Sequence, residues 1–236
     1  MEFRVESLDS VTKALKRLKQ QISELENLER AEKTARINLK AKVEKLRRAL
    51  MDTIHTLARL VAMLDRYTAG HQTRVSQLAS AIAQEMTLPE ETVDLLRMAA
   101  LIHDIGKIYI PAEILNKPAR LTPEEFDRVK MHPQLGYNIL MQIDFQRLLG
   151  QIILQHHERI DGSGYPQGLT RPEILLEARI LAVADVVEAM CSDRAYRPAP
   201  GLSEALKEIN KNRGILYDPD VVDVCIKIFK EKNFKF

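Results

Sequence analysis

Six histidines occur in 236 residues, and five of them lie between positions 71 and 157 in settings that suit metal chemistry. His103 and Asp104 stand side by side at the end of an apolar run, LIHDIGKIYIP. Neighbouring side chains on a helix point about 100° apart, so the two can serve different sides of one site. A carboxylate also has two oxygens with which to bridge two ions. Gly106 admits a close approach of backbone or ligand. Lys107, one helical turn beyond His103, is a cation suited to a phosphate oxygen. His156 and His157 are adjacent in LQHHERIDGSGYP. Two imidazoles buried at the end of an apolar helix each need hydrogen-bond partners, and metal ligation satisfies both. Asp185 interrupts the apolar string ARILAVADVVEAM, where a carboxylate is costly unless it is paired or bound to a metal. His71 and His132 each stand at a predicted helix boundary. These five histidines and two aspartates form a mixed nitrogen and oxygen set without cysteine. Such a set favours Mn, Fe, Zn or Ni, and seven ligands suit two ions sharing a bridging carboxylate.

The elements that must hold these side chains are helices. Residues 1–69 contain neither Gly nor Pro, so nothing there breaks a helix. Heptads counted from Leu8 place Leu8, Leu15, Ile22, Val43 and Leu50 at a positions, and Val11, Leu18, Leu25, Leu39 and Leu46 at d positions. Glu29, Glu32 and Arg36 fill the other core positions. This is the seam of a coiled coil, expected to pair as a parallel homodimer through residues 8–50. One amphipathic helix folded back on its own domain is the alternative. Near Leu50–Ile54 the apolar spacing takes two successive steps of four, a stutter, and a broader face of Ile54, Leu57, Leu60, Val61 and Leu64 begins. The expected boundary therefore divides a helical segment, 1–52, from a domain, 53–236. Charge divides the same way: residues 1–50 carry thirteen basic and eight acidic side chains, although the whole chain is only +2.

Beyond residue 53 one helix follows another. Segments 72–86, 89–102, 148–155, 174–190, 202–210 and 219–230 all read as helical. Thr122, Pro123 and Glu125 spell a capping box with Pro at the first helical position. No phosphate-binding glycine pattern follows a strand. The fold class is all-α.

The strings HDIGK at 103–107, HPQLG at 132–136, HHERIDGSGYP at 156–166 and ADVVEAM at 184–190 resemble the motifs of the HD-GYP family of HD-superfamily phosphohydrolases. The resemblance covers roughly residues 53–236. It implies an HD-type helical bundle and a metal-dependent phosphodiesterase that hydrolyses the bacterial second messenger cyclic di-GMP to pGpG or GMP. It further implies metal ligation by His71, His103, Asp104, His132, His156, His157 and Asp185, with Asp104 bridging two divalent ions. Fe or Mn is expected, with Zn or Ni as alternatives. Lys107, Tyr165, Arg194 and Arg197 match substrate-contacting positions, and Asp104 and Lys107 are the expected catalytic pair. The GYP loop matches a surface that family members use for protein partners. Tyr67 stands where some members carry the Glu that supports a third metal, and Glu188 stands where many carry Asp.

Other readings are a non-catalytic cyclic-dinucleotide sensor or partner-binding scaffold, a hydrolase of another nucleotide, and a di-iron centre activating oxygen. The near-neutral charge gives no argument for nucleic acid as a partner. No apolar run is long enough to cross a membrane. Two cysteines, Cys191 and Cys225, fit a reducing cytoplasm and no disulfide framework.

Overall fold

A computed structural model describes residues 2–63, 70–142, 147–193, 199–232 and 234–236, with side chains from residue 10 onward. Among the described residues there is no β-strand, only the isolated bridges Asp161–Thr170 and Arg213–Tyr217. The chain forms two compact units, Met1–Met51 and Asp52–Phe236. From Glu2 onward the first is helix, part of α1 (Glu2–Ala62). From residue 10 to 50 every side chain is exposed, the heptad leucines included.

In the second unit the end of α1 buries Ile54, Ala58 and Val61, spaced four and three residues apart on one face. The face is narrower than the sequence predicts. Leu57 and Leu60 are exposed, because their directions fall outside that stripe, while Leu64 and Tyr67 lie outside the described residues. Helices α2 (His71–Glu85), α3 (Glu90–Ile102) and α8 (Leu176–Cys191) pack on one another around Leu78, Ile82, Leu96, Ile180 and Leu181. Short helices α4 (Ala112–Leu115) and α5 (Pro123–Val129) follow. Next come α6 (His132–Leu140) and α7 (Arg147–Gln155), which pack together. Helices α9 (Leu202–Lys211) and α10 (Pro219–Glu231) complete the unit against α8.

The capping box at α5 is formed as the sequence predicts. The Thr122 hydroxyl accepts from the Glu125 amide, and the Glu125 carboxylate accepts from the Thr122 amide. The segments that read as helical from the sequence match α2, α3, α7, α8, α9 and α10, and the capping box matches α5; a Gly, Pro or Thr stands at or near the start of most of them. No helix of the described residues is long and apolar enough to cross a membrane.

Candidate metal centre and substrate cavity

The chemistry sits where helix ends converge. His71 is the first residue of α2 and His132 the first of α6. His103 and Asp104 follow the last turn of α3, His156 and His157 follow α7, and Asp185 projects from the middle of α8. Five chain segments thus deliver all seven predicted ligand residues to one place. Their donor atoms form overlapping groups within 4.8 Å: His71, His103 and Asp185; His132, His156 and His157; and His103, Asp104 and His156. Asp104 reaches toward both sides. Its Oδ2 lies 3.4 Å from His103 Nε2 and its Oδ1 3.4 Å from His132 Nε2.

Three of the imidazoles are oriented by backbone. Nδ1 of His103 donates to the Ala100 carbonyl at 2.8 Å, His132 to Val129 at 2.8 Å, and His156 to Ile153 at 2.5 Å. Each acceptor is three residues earlier, freed by the end of a helix or turn. Burial pushes His132 down to about 4 and His156 down to about 3, so both rings are neutral at pH 7. Their hydrogens sit on Nδ1, yet their Nε2 atoms face each other across 3.4 Å. Two lone pairs pointing at one another cannot hydrogen-bond. A cation between or beside them resolves the conflict, so the donor set fits metal. Burial lowers His157 as well. His71 differs: burial opposes its charge, but Asp185 and Glu188 outweigh it and raise it to about 9. Burial works against the charged forms of Asp104 and Asp185 too. It is overcome by Lys107 and the imidazoles around Asp104 and by the His71 bond to Asp185, so both carboxyls stay below their usual range.

Lys107 is in the site, by a route the sequence does not predict. The α-helix stops at Ile102 and a 3-10 turn, Ile105–Tyr109, takes over. In that tighter turn residues three apart eclipse. Lys107 therefore aligns with Asp104, and its Nζ donates to Asp104 Oδ2 at 2.8 Å instead of standing over His103. Gly106 packs against α6: a Cβ there would overlap the His132 carbonyl oxygen and come within 2.6 Å of the Gly136 amide nitrogen.

The GYP loop is held by a residue outside the predicted set. Glu158 is buried, and its two oxygens accept from the amides of Gln167 at 2.7 Å and Leu169 at 3.0 Å. Gly164 lies so close beneath that a Cβ would come within 2.6 Å of the Glu158 carbonyl carbon. The result lays the Tyr165 ring on His157, centroids 4.8 Å apart and 31° between planes. Burial raises the Tyr165 phenol, so it stays protonated. Arg194 and Arg197 lie outside the described residues.

The cluster floors a cavity of about 670 Å³, within the range of small-molecule sites. Lys107 and Tyr165 line it, and so does the α4–α5 segment with Leu115, Lys117, Arg120 and Phe126. This wall was not read from sequence. Lys117 is committed to Glu125, both oxygens within 2.8 Å, whereas Arg120 and Phe126 are exposed at the rim.

Residues 55–221 match the model of the HD domain family. The chain is 41% identical over 191 residues to the cyclic di-GMP phosphodiesterase response regulator RpfG of Xanthomonas campestris, covering 80% of this chain and 50% of that protein. It is 44% identical over 184 residues to a cyclic di-GMP phosphodiesterase of Thermotoga maritima, covering 77% of this chain and 50% of the relative. The chain therefore spans about half the length of these relatives. Among solved structures, a cyclic GMP-AMP specific phosphodiesterase of Vibrio cholerae superposes with a TM-score of 0.57 at 19% identity, covering 76% of this chain and 49% of that one, and shares the fold.

Proposed function

The chain belongs to the HD domain family, in its HD-GYP branch, and from that premise we propose that it is a metal-dependent phosphodiesterase that hydrolyses cyclic di-GMP to pGpG or GMP. The observation that carries this reading is the pair of histidine groups joined by Asp104 at the floor of a nucleotide-sized cavity. His71, His103 and Asp185 would hold one ion and His132, His156 and His157 the other, with Asp104 between the two groups. Two divalent ions, Fe or Mn before Zn or Ni, supply Lewis-acid polarisation of the phosphate and an activated water when bound.

The remaining steps fall to side chains. The Lys107 ammonium, beside Asp104 at the cavity floor, would pair with a non-bridging phosphate oxygen. Tyr165, kept protonated, donates from its position over His157. Arg194 and Arg197 hold the second phosphate or stack on guanine. On the far wall Phe126 offers a stacking surface for a purine. The Arg120 guanidinium, which lines the same cavity, can bond the O6 and N7 edge of guanine in a bidentate pair.

A second copy of this chain is the partner of residues 8–50, in parallel. A stripe of exposed Val, Leu and Ile at heptad spacing, flanked by mixed charges, suits a copy of itself. The GYP loop, Gly164–Pro166, is the docking point for a protein partner. Free Cys191 and Cys225 fit a cytoplasmic setting.

The test is metal analysis of purified protein, then incubation with cyclic di-GMP under anaerobic Fe(II) or Mn(II) and chromatography of the products. Cyclic di-AMP and 3′3′-cGAMP serve as competitors. Linear pGpG or GMP formed fastest from cyclic di-GMP is expected. Binding without turnover would leave the sensor reading, and faster cleavage of another nucleotide would replace the substrate.

A further inference from the structure

His71 is the one predicted ligand whose Nδ1 faces a side-chain carboxylate. At the start of α2 its Nδ1 donates to Oε2 of Glu188, a wholly buried residue one turn beyond Asp185 on α8. The other oxygen of Glu188 is fully engaged elsewhere. Oε1 accepts from Arg74 Nε at 2.7 Å and from the Ser192 hydroxyl at 2.6 Å, while Arg74 Nη2 bridges to Ser192 at 3.0 Å. Glu188 therefore cannot swing, and only Oε2 is left for the imidazole. Nε2 is the other end of the ring: it donates to Asp185, whose Oδ1 is 3.2 Å away and also lies 3.8 Å from His103 Nε2, and it is this hydrogen that an ion would replace while Glu188 keeps the one on Nδ1.

The two halves of the centre are thus unequal. At His132, His156 and His157 the donors are three neutral rings, two of them anchored on peptide carbonyls. At His71, His103 and Asp185 one donor is itself anionic and another is backed by a carboxylate. A carboxylate accepting from the far nitrogen makes an imidazole a stronger and better aimed ligand. Burial works against the charge on Glu188, and its bonds to His71 first, then to Ser192 and Arg74, hold it below the usual range.

We propose that Glu188, acting through His71, is the positioning residue that makes the His71–His103–Asp185 half bind its ion first and more tightly. This rests on the reading of the cluster as a two-metal site.

Calorimetric titration of the metal-stripped chain with Mn(II) tests it. Two separable binding events are expected for the unaltered protein. In Glu188→Gln the tighter one should weaken by about 10- to 100-fold, the range for lost carboxylate partners of ligating histidines, with the weaker one unmoved. Glu188→Asp should recover part of the loss. An unchanged tighter event in a variant of normal helicity and melting would overturn the proposal, as would an equal loss from both events. If Glu188→Gln does not fold, the unaltered protein still decides: in the metal-stripped chain above about pH 9, where the ring is neutral, long-range ¹⁵N spectra should show the His71 hydrogen kept on Nδ1, and finding it on Nε2 overturns the proposal. No Mn(II) binding by the unaltered protein would instead remove the two-metal reading, and the ¹⁵N spectra would still report on Glu188 and His71.

Discussion

Gly106 has no Cβ because the carbonyl oxygen of His132 occupies the place where one would be. The relation joins two motifs 26 positions apart. The turn after His103 and Asp104 lies directly on the first residue of α6, so the spacing between these ligands is set by backbone against backbone. A methyl at Gly106 has no flexible side chain to displace. Gly106→Ala should push α6 outward, lower stability by about 1–3 kcal/mol and reduce the metal retained after dialysis. Thermal melting with and without added Mn(II) measures both. A variant with unchanged melting and metal content would show that the turn and α6 move freely of each other.

Asp104→Ala should abolish hydrolysis and cost at least one of two ions, because the carboxylate that reaches both His103 and His132 is gone. His55→Ala should do neither, since His55 is exposed on α1 outside every motif. Metal analysis of the two purified variants gives the answer. Equal metal loss from His55→Ala would mean that the ligand set is wrongly drawn.

Lys107→Ala should leave metal content intact while turnover falls by about 10²–10³, the usual cost of one donor aimed at developing charge. The ion pair sharpens the expectation. Lys107 occupies Asp104 Oδ2 at 2.8 Å, so it competes with a cation for that oxygen. Removing it should leave Mn(II) affinity equal or tighter. Weaker metal binding in this variant would assign Lys107 to holding the centre together instead of holding phosphate.

Helix order and the histidines and aspartates that converge were readable because they rest on local signals. Thr122 and Glu125 cap α5 within four residues, and adjacent pairs such as His103 with Asp104 declare themselves in any register. What stayed hidden depends on distance in sequence. Glu188 meets His71 across 117 positions, and nothing in ADVVEAM tells which carboxylate faces a ligand and which faces an arginine. Glu158 follows His156 and His157 directly, yet its oxygens go to amides nine and eleven residues on. Lys107 was placed by assuming that an α-helix continued, and the 3-10 turn re-aimed it. The wall of Lys117, Arg120 and Phe126 reads as ordinary charged surface, because only tertiary packing turns it toward the cavity.

That wall supplies a prediction about the base. Arg120→Ala and Phe126→Ala should each raise KM for cyclic di-GMP about tenfold or more, since a bidentate guanine contact or a stacked ring is worth roughly 1–3 kcal/mol. Hydrolysis of bis(p-nitrophenyl) phosphate, which has no purine, should not change. Steady-state kinetics on the two substrates separates the effects. Loss of both activities would place these residues nearer the phosphate, and no loss of either would remove the wall from substrate binding.

The helical unit carries the last prediction. Leu15 and Ile22 are each 53% exposed and Leu46 is 73% exposed, along a stripe that recurs every three or four residues. Single exposed leucines are ordinary, but a stripe of this length calls for a partner. Glu29, Glu32 and Arg36 sit in the middle of the same seam and are also exposed. In a parallel dimer each would meet its own copy across the core, like charge against like, so the centre should be weaker than either end. Replacing them together by Leu, Leu and Ile removes that repulsion and adds apolar burial. Full burial of a Leu or Ile side chain contributes roughly 1.5–3 kcal/mol, so even partial burial should tighten dimerisation by well over tenfold. Sedimentation across nanomolar to micromolar concentration should find the unaltered chain dimeric at the upper end and the triple variant dimeric throughout. A monomer at micromolar concentration in both would mean that the stripe serves another partner, and an antiparallel arrangement by spin-label distances would remove the charge argument, because a positions would then face d positions and neither Glu29 nor Arg36 would meet its own copy.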